Sequence, residues 1–141
     1  MTASPSKRIL KPELKPTGRP HAEPLDHVRA VALGFPGTSE RLSHGSPTFF
    51  AGKKTFANYV DDHHGDGRLA LWAACTLIDQ QALTQENPNG FFVPPYVGHR
   101  GWIGIHLNRG LPLDEVAELL EDAYRLVATK TLTAQLDATS P

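Results

Sequence analysis

The segment from Phe91 to Leu107, FFVPPYVGHRGWIGIHL, constrains the fold more than any other stretch. Two apolar, β-prone runs flank Gly98-His99-Arg100-Gly101. Strand formers on either side of a glycine-bounded polar tetrad predict a β-hairpin. Pro94 and Pro95 have no N–H to give to a ladder, so the first of these strands belongs at a sheet edge or carries a bulge.

More strands precede it. Glu40–Gly45 reads as a short edge strand with Leu42 its only strong apolar residue. Pro47–Ala51 and Thr55–Val60, joined by Gly52-Lys53-Lys54, predict a tight hairpin with Phe49, Phe50, Phe56 and Tyr59 as cross-strand partners. Arg68–Ala74 predicts a fourth strand, Leu69 and Leu71 facing one way and Ala70 and Trp72 the other.

Three helices are expected around them. Glu23–Leu33 carries Leu25, Val28, Val31 and Ala32 at near-helical spacing and stops at Gly34 and Pro36. Thr76 reads as the N-cap of a second helix, with Asp79 three residues on, Leu77, Ile78, Ala82 and Leu83 as its apolar face, and Asn87-Pro88 as its end. Leu113–Leu136 has the clearest amphipathic pattern, with acids in the first turn and a bend or end expected over Thr129–Thr133. Consecutive hairpins call for an antiparallel sheet, and its apolar face needs a cover that only the helices supply. The expected class is α+β, in the order α-β-β-β-β-α-β-β-α.

A length of 141 residues suits one domain, expected over residues 23–136 and followed by a fraying end at 137–141. No run of about 18 apolar residues is present, so no spanning helix is expected. The single cysteine, Cys75, excludes an internal disulfide framework and a multi-cysteine zinc site, and makes a cytoplasmic location the default. The net charge of −1 conceals an asymmetry. Residues 1–20 hold five cations against Glu13, whereas residues 21–141 hold nine basic and fourteen acidic side chains. Residues 1–22 are therefore expected to be a flexible basic tail on an acidic body. An acidic body lacks the basic stripe of a strong duplex binder.

Four groups of residues could carry chemistry. Asp61–Asp66 contains His63, His64 and Asp66, donors suited to a divalent metal. Adjacent strand residues point to opposite faces, however, so a polar turn with Asp side chains bonded to nearby backbone is the simpler expectation. Tyr96, His99, Arg100 and Trp102, with Lys53, Lys54 and Arg68, could form an aromatic and basic surface for nucleic acid, cations meeting phosphates and rings stacking on bases. Trp102 could equally be core. His44 with Ser43 and Ser46, near His106, lacks the strained elbow of a serine nucleophile. Cys75, at a helix start, is either activated by the dipole or buried and inert. No phosphate loop or dinucleotide fingerprint is present, so no cofactor and no catalytic residue are expected.

The stretches LGFPGTSERLSHGSPTFF (33–50), GKKTFANYVDDHHGDGRLALW (52–72), FFVPPYVGHRGWIGIHL (91–107) and DEVAELLEDAYRLVATKTL (114–132) together resemble the MmcQ/YjbR family of small bacterial proteins. One departure is Phe35 before Pro36-Gly37, where that family usually has leucine. The resemblance implies a YjbR-type α+β fold with paired hairpins, likened to a double wing, and on that ground a DNA-binding label. It implies no reaction, cofactor or catalytic residue. The leading expectation is a nucleic-acid-binding module acting through two hairpin wings. The alternative is a protein-interaction or small-ligand module, and a metal-dependent enzyme built on Asp61–Asp66 is a third. No membrane partner is expected.

Overall fold

The computed structural model describes residues 22–139. The tail expected over residues 1–22 lies outside the described residues, except for Ala22, which opens the first helix. The elements are α1 (Ala22–Ala32), β1 (Thr38–Ser43), β2 (Ser46–Ala51), β3 (Lys54–Asp61), β4 (Leu69–Ala73), α2 (Leu77–Glu86), β5 (Phe91–Phe92), β6 (Ile103–His106), α3 (Leu113–Val127) and α4 (Lys130–Thr139). The strands form one antiparallel sheet in the order β1-β2-β3-β4-β6-β5. This is the expected α+β architecture, with one more helix at its C-terminal end.

Cross-strand partners share a sheet face. One file therefore runs Phe49, Ala57, Ala73, Ile103, and the next runs Tyr59, Leu71, Ile105, Phe91. All eight are buried. Each large side chain so removed from water contributes about 1.5–3 kcal/mol. α3 lies against β3 and β4 on this face, with α1 beside it. The register shifts between Phe49 and Phe50, which leaves Phe56 without a partner across the ladder. Its ring instead meets Phe35 at 6.3 Å and Tyr124 of α3 at 5.7 Å. The Tyr124 hydroxyl donates to Pro36 O at 2.6 Å, tying α3 to the turn between α1 and β1.

Two expected elements differ. The helix expected over Leu113–Leu136, with a bend or end over Thr129–Thr133, is two helices, and the break starts one residue earlier, where Ala128 takes an extended conformation. Thr129 Oγ1 accepts from Leu132 N at 3.2 Å and restarts the helix as α4. Arg125 spans the break, paired with Glu121 on one side and Asp137 on the other. Helical order reaches Thr139, past the 136 boundary and into the stretch expected to fray.

The hairpin expected over Phe91–Leu107 shrinks to two pairs, Phe91 with Ile105 and Phe92 with Gly104. Residues 93–102 form a loop instead. Pro94 and Pro95 cannot donate to the ladder. Tyr96 is left-handed at φ 67°, and Gly98–Arg100 make a single 3₁₀ turn. Gly101 (φ 96°) then passes so close to α2 that a Cβ would sit 2.8 Å from Leu77 N. α2 explains the docking. Thr76 Oγ1 caps it as expected, accepting from Asp79 N at 3.1 Å, but Leu77 and Ile78 face solvent and Gln80 is the buried residue. Gln80 Nε2 donates to Gly98 O at 2.8 Å and to Trp102 O at 2.7 Å. The loop is thus held down by an amide, which a hydrophobic periodicity cannot register.

Gln80→Leu keeps the volume but strands two carbonyls. It should lower unfolding free energy by about 1–3 kcal/mol in urea titration, and hydrogen exchange should quicken over 93–102 before the rest of the sheet.

Candidate functional site

The sheet has a second face. Its central file runs Thr48, Asn58, Trp72, Gly104, Phe92, and beside it lie Val60, Ala70 and His106. On this face is a groove of about 760 Å³, against about 290 Å³ for the cleft between α2 and α3. Asn58, Val60 and Trp72 form its floor, Ser43–Ser46 one wall, Tyr96 and Val97 the other, and Asp61, His63 and His64 one end. Among the described residues, none from α1–α4 lines it.

The β3–β4 connection builds the end wall. Asp62 and His64 are left-handed (φ 57° and 50°), which turns the chain sharply back over the sheet. Asp62 Oδ1 accepts from Gly67 N at 2.7 Å, and Asp66 Oδ1 accepts from Arg68 N at 2.9 Å. These bonds are the polar turn that the residue types predict. The sharp bend brings the two imidazoles to 4.1 Å between centroids, and sets His63 edge-on to Trp72 at 5.1 Å and to Tyr96 at 5.8 Å. His63 Nε2 is buried and has no hydrogen-bond partner among the described residues. Asn58 Nδ2 donates to Thr48 Oγ1 at 2.9 Å, which orients the amide.

Backbone strain gathers here as well. The non-glycine residues with positive φ are His44, Asp62, His64 and Tyr96. Three of them line the groove and Asp62 sits between two residues that do. Such conformations each cost about 1–3 kcal/mol and cluster at ligand sites.

The expected nucleic-acid surface is divided. Lys53 and Lys54 are exposed at the β2–β3 turn, and His99 and Arg100 are exposed at the same end of the sheet. Arg68 stands at the opposite end, its guanidinium 4.1 Å over the Phe92 ring. Trp102 is core, 5% exposed, with Arg100 above it at 5.5 Å. Tyr96 alone of that set enters the groove. The connection between β5 and β6 does not project as a free tip, because Gln80 holds it against α2. Among the described residues, no three His, Cys, Asp or Glu side chains come together as metal ligands would, His63, His64 and Asp66 included.

The serine–histidine grouping also separates. Ser43, His44 and Ser46 line the groove, but His106 lies on β6, with β3 and β4 between it and β2. Burial pushes the Cys75 thiol up against the opposing pull of the Thr76 backbone bond, so the activated reading of that cysteine does not hold. Trp72, Asn58 and Val97 are groove residues that the sequence reading passed over as sites. Strand alternation placed Trp72 on the face away from Leu71, the one signal that pointed to it.

His106 is 3% exposed beside Phe92 at 4.7 Å, and its Nδ1 has no partner. Burial lowers its pKa, as do Arg109 and Arg68, while Asp66 opposes them.

These features define a class: a one-sheet α+β domain with helices on one face and a histidine- and aromatic-lined groove on the other. The YjbR family profile matches residues 33–126, and the chain belongs to that family. The fold is also similar to the crystal structure of Deinococcus radiodurans protein DR2400, which has the DUF419 domain, at 22% identity and a TM-score of 0.64, covering 80% of this chain and 87% of that one. No curated protein matches the chain. Among the described residues, no helix is long and apolar enough to cross a membrane.

A lowered imidazole pKa means that the unfolded chain binds the proton first. Stability should therefore fall as pH drops below about 6.5, the ordinary histidine value, and level off once folded His106 protonates. Chemical denaturation at pH 7 and pH 5 should show a smaller loss for His106→Gln than for the parent.

Proposed function

We propose that this chain is a binding module rather than an enzyme, and that its ligand site is the groove on the helix-free sheet face. The observation that carries this reading is the convergence of His44, His63, His64 and Tyr96 on one concave surface, with three of the four in strained backbone. A volume of about 760 Å³ is in the range of small-molecule sites, and apolar and aromatic residues such as Val60, Trp72, Tyr96 and Val97 beside a few placed polar groups such as Asn58 are the kind of lining such sites have. A cytoplasmic location fits its single cysteine.

A second reading keeps duplex DNA as partner. Its support is the projecting β2–β3 turn, whose Lys53 and Lys54 are exposed and have no acid partner among the described residues. With the β5–β6 tip held against α2 and cations at opposite ends of the sheet, few phosphates would be neutralised, and affinity scales with that number.

The two readings separate in solution. A small-molecule thermal-shift screen should give compounds that raise Tm, and their amide chemical-shift changes should fall on residues 43–46, 58–64 and 96–97. Shifts confined to the Lys53–Lys54 turn on adding duplex would favour the second reading. Responses only in the α2–α3 cleft would overturn the first.

A further inference from the structure

The groove's lining is polar and aromatic, yet among the described residues it holds no lysine or arginine, and Asp61 is its one carboxylate. A ligand whose recognised part is an anion would meet no fixed positive charge there. A saturated hydrocarbon would cover Asn58 Oδ1 and the Ser43 and Ser46 hydroxyls without bonding them, at the cost of unsatisfied buried polar atoms. A planar, uncharged ring with hydrogen-bonding edges meets both conditions.

Tyr96 is 68% exposed, so its ring offers a free face over the groove. Asn58 uses Nδ2 on Thr48, leaving Oδ1 to accept from a ligand donor. Ser43 and Ser46 supply hydroxyls from the opposite wall. Positive charge stands outside the groove on the same sheet face. Arg41 lies 3.9 Å over Phe50, and Arg68 lies 4.1 Å over Phe92. Neither has an acid partner among the described residues. A ring-walled groove without a lining cation among the described residues, between two arginines, separates the two parts of one ligand type, a flat heterocycle and a phosphate-bearing chain.

We infer that the groove binds an unpaired nucleobase, stacked on Tyr96 and hydrogen-bonded by Asn58, with Arg41 and Arg68 placed for the attached phosphates. The inference rests on the groove being the ligand site and names the ligand's chemistry. The base can come from a free nucleoside or nucleotide, or from a single strand, since each presents an open ring face and edge. A duplex hides both.

Trp72 forms the groove floor, whereas Trp102 lies in the core beneath Arg100, so tryptophan fluorescence reports occupancy through Trp72. The full chain is titrated with the four ribonucleosides, their monophosphates, a mixed-sequence 15-nucleotide single strand and the matching duplex. At least one nucleoside should give a saturable change with Kd under about 1 mM, and Tyr96→Gly, which removes the ring without adding strain, should weaken it about tenfold. Asn58→Asp, which replaces the orienting amide, should weaken it independently and covers the case in which the loop variant is disturbed. A single strand that binds more than about tenfold tighter than the monophosphates, and loses that margin in salt, identifies a strand as the source; equal affinities identify the free nucleotide. The inference is overturned if no nucleoside or single strand gives a saturable change up to about 10 mM, if the duplex binds as well as the single strand, or if both variants titrate like the parent. A screen compound that maps to the groove but lacks a planar ring would overturn the nucleobase while leaving the groove as ligand site. Silence of groove residues to every compound would remove both.

Discussion

A six-stranded sheet has two faces, and this chain has one layer of helices. That imbalance governs the molecule. The face carrying Phe49, Tyr59, Leu71 and Ile105 receives α1 and α3 and becomes the core. The opposite face has to be shielded by whatever connects the strands. Trp72, on that face, is only 8% exposed because the β3–β4 turn folds His63 onto it from one end, and Tyr96 reaches His63 from the β5–β6 loop. Loops carry their own backbone polar groups and cannot pack as densely as a helix layer. A groove remains where the two loops fail to meet. The site is a product of incomplete coverage, held open by turns with local hydrogen bonds.

Those turns are rigid for identifiable reasons. Asp62 and Asp66 side chains close the β3–β4 connection on its own backbone. Gln80 clamps the β5–β6 loop from a different element, through two carbonyls. The strained residues His64 and Tyr96 persist because these bonds over-determine the path of the chain around them, and His44 sits in the tight β1–β2 turn closed by the Ser43–Ser46 pair. A site built on such turns is preorganised, so a ligand would pay little of the ordering entropy that a mobile loop demands.

Much of the fold was legible in advance, and the misses share a cause. Strands β1–β4 and helix α2's cap follow from alternation, turn residues and Thr76, all of which are local signals. The β5–β6 hairpin looked equally local and was not. Its glycine-bounded tetrad reads as a strand connection, but two prolines remove the ladder donors and a glutamine eighteen residues upstream of Gly98 captures the backbone. The α3–α4 break was legible as a bend or end over Thr129–Thr133, but not that a second helix of ten residues restarts after the extended Ala128. For the site, Tyr96, His63 and His64 were singled out, but for separate purposes. Trp102, Arg100 and the lysines were grouped with Tyr96 because they are close in sequence or equally basic, whereas the sheet puts them in the core or at its ends.

Sequence by itself determined the class, the strand content, the caps and the family, because each depends on neighbours within a few residues or on a pattern spread over the whole chain. Tertiary structure alone decided which face of the sheet stayed free of helices, and that His44, His63, His64, Trp72 and Tyr96 line the same groove. Those residues come from three separate connections and one strand. Their convergence depends on strand order and on left-handed turns, and the physical reason it escapes the sequence is that a side chain's direction is known within its own strand but not across a loop whose end is fixed by another element.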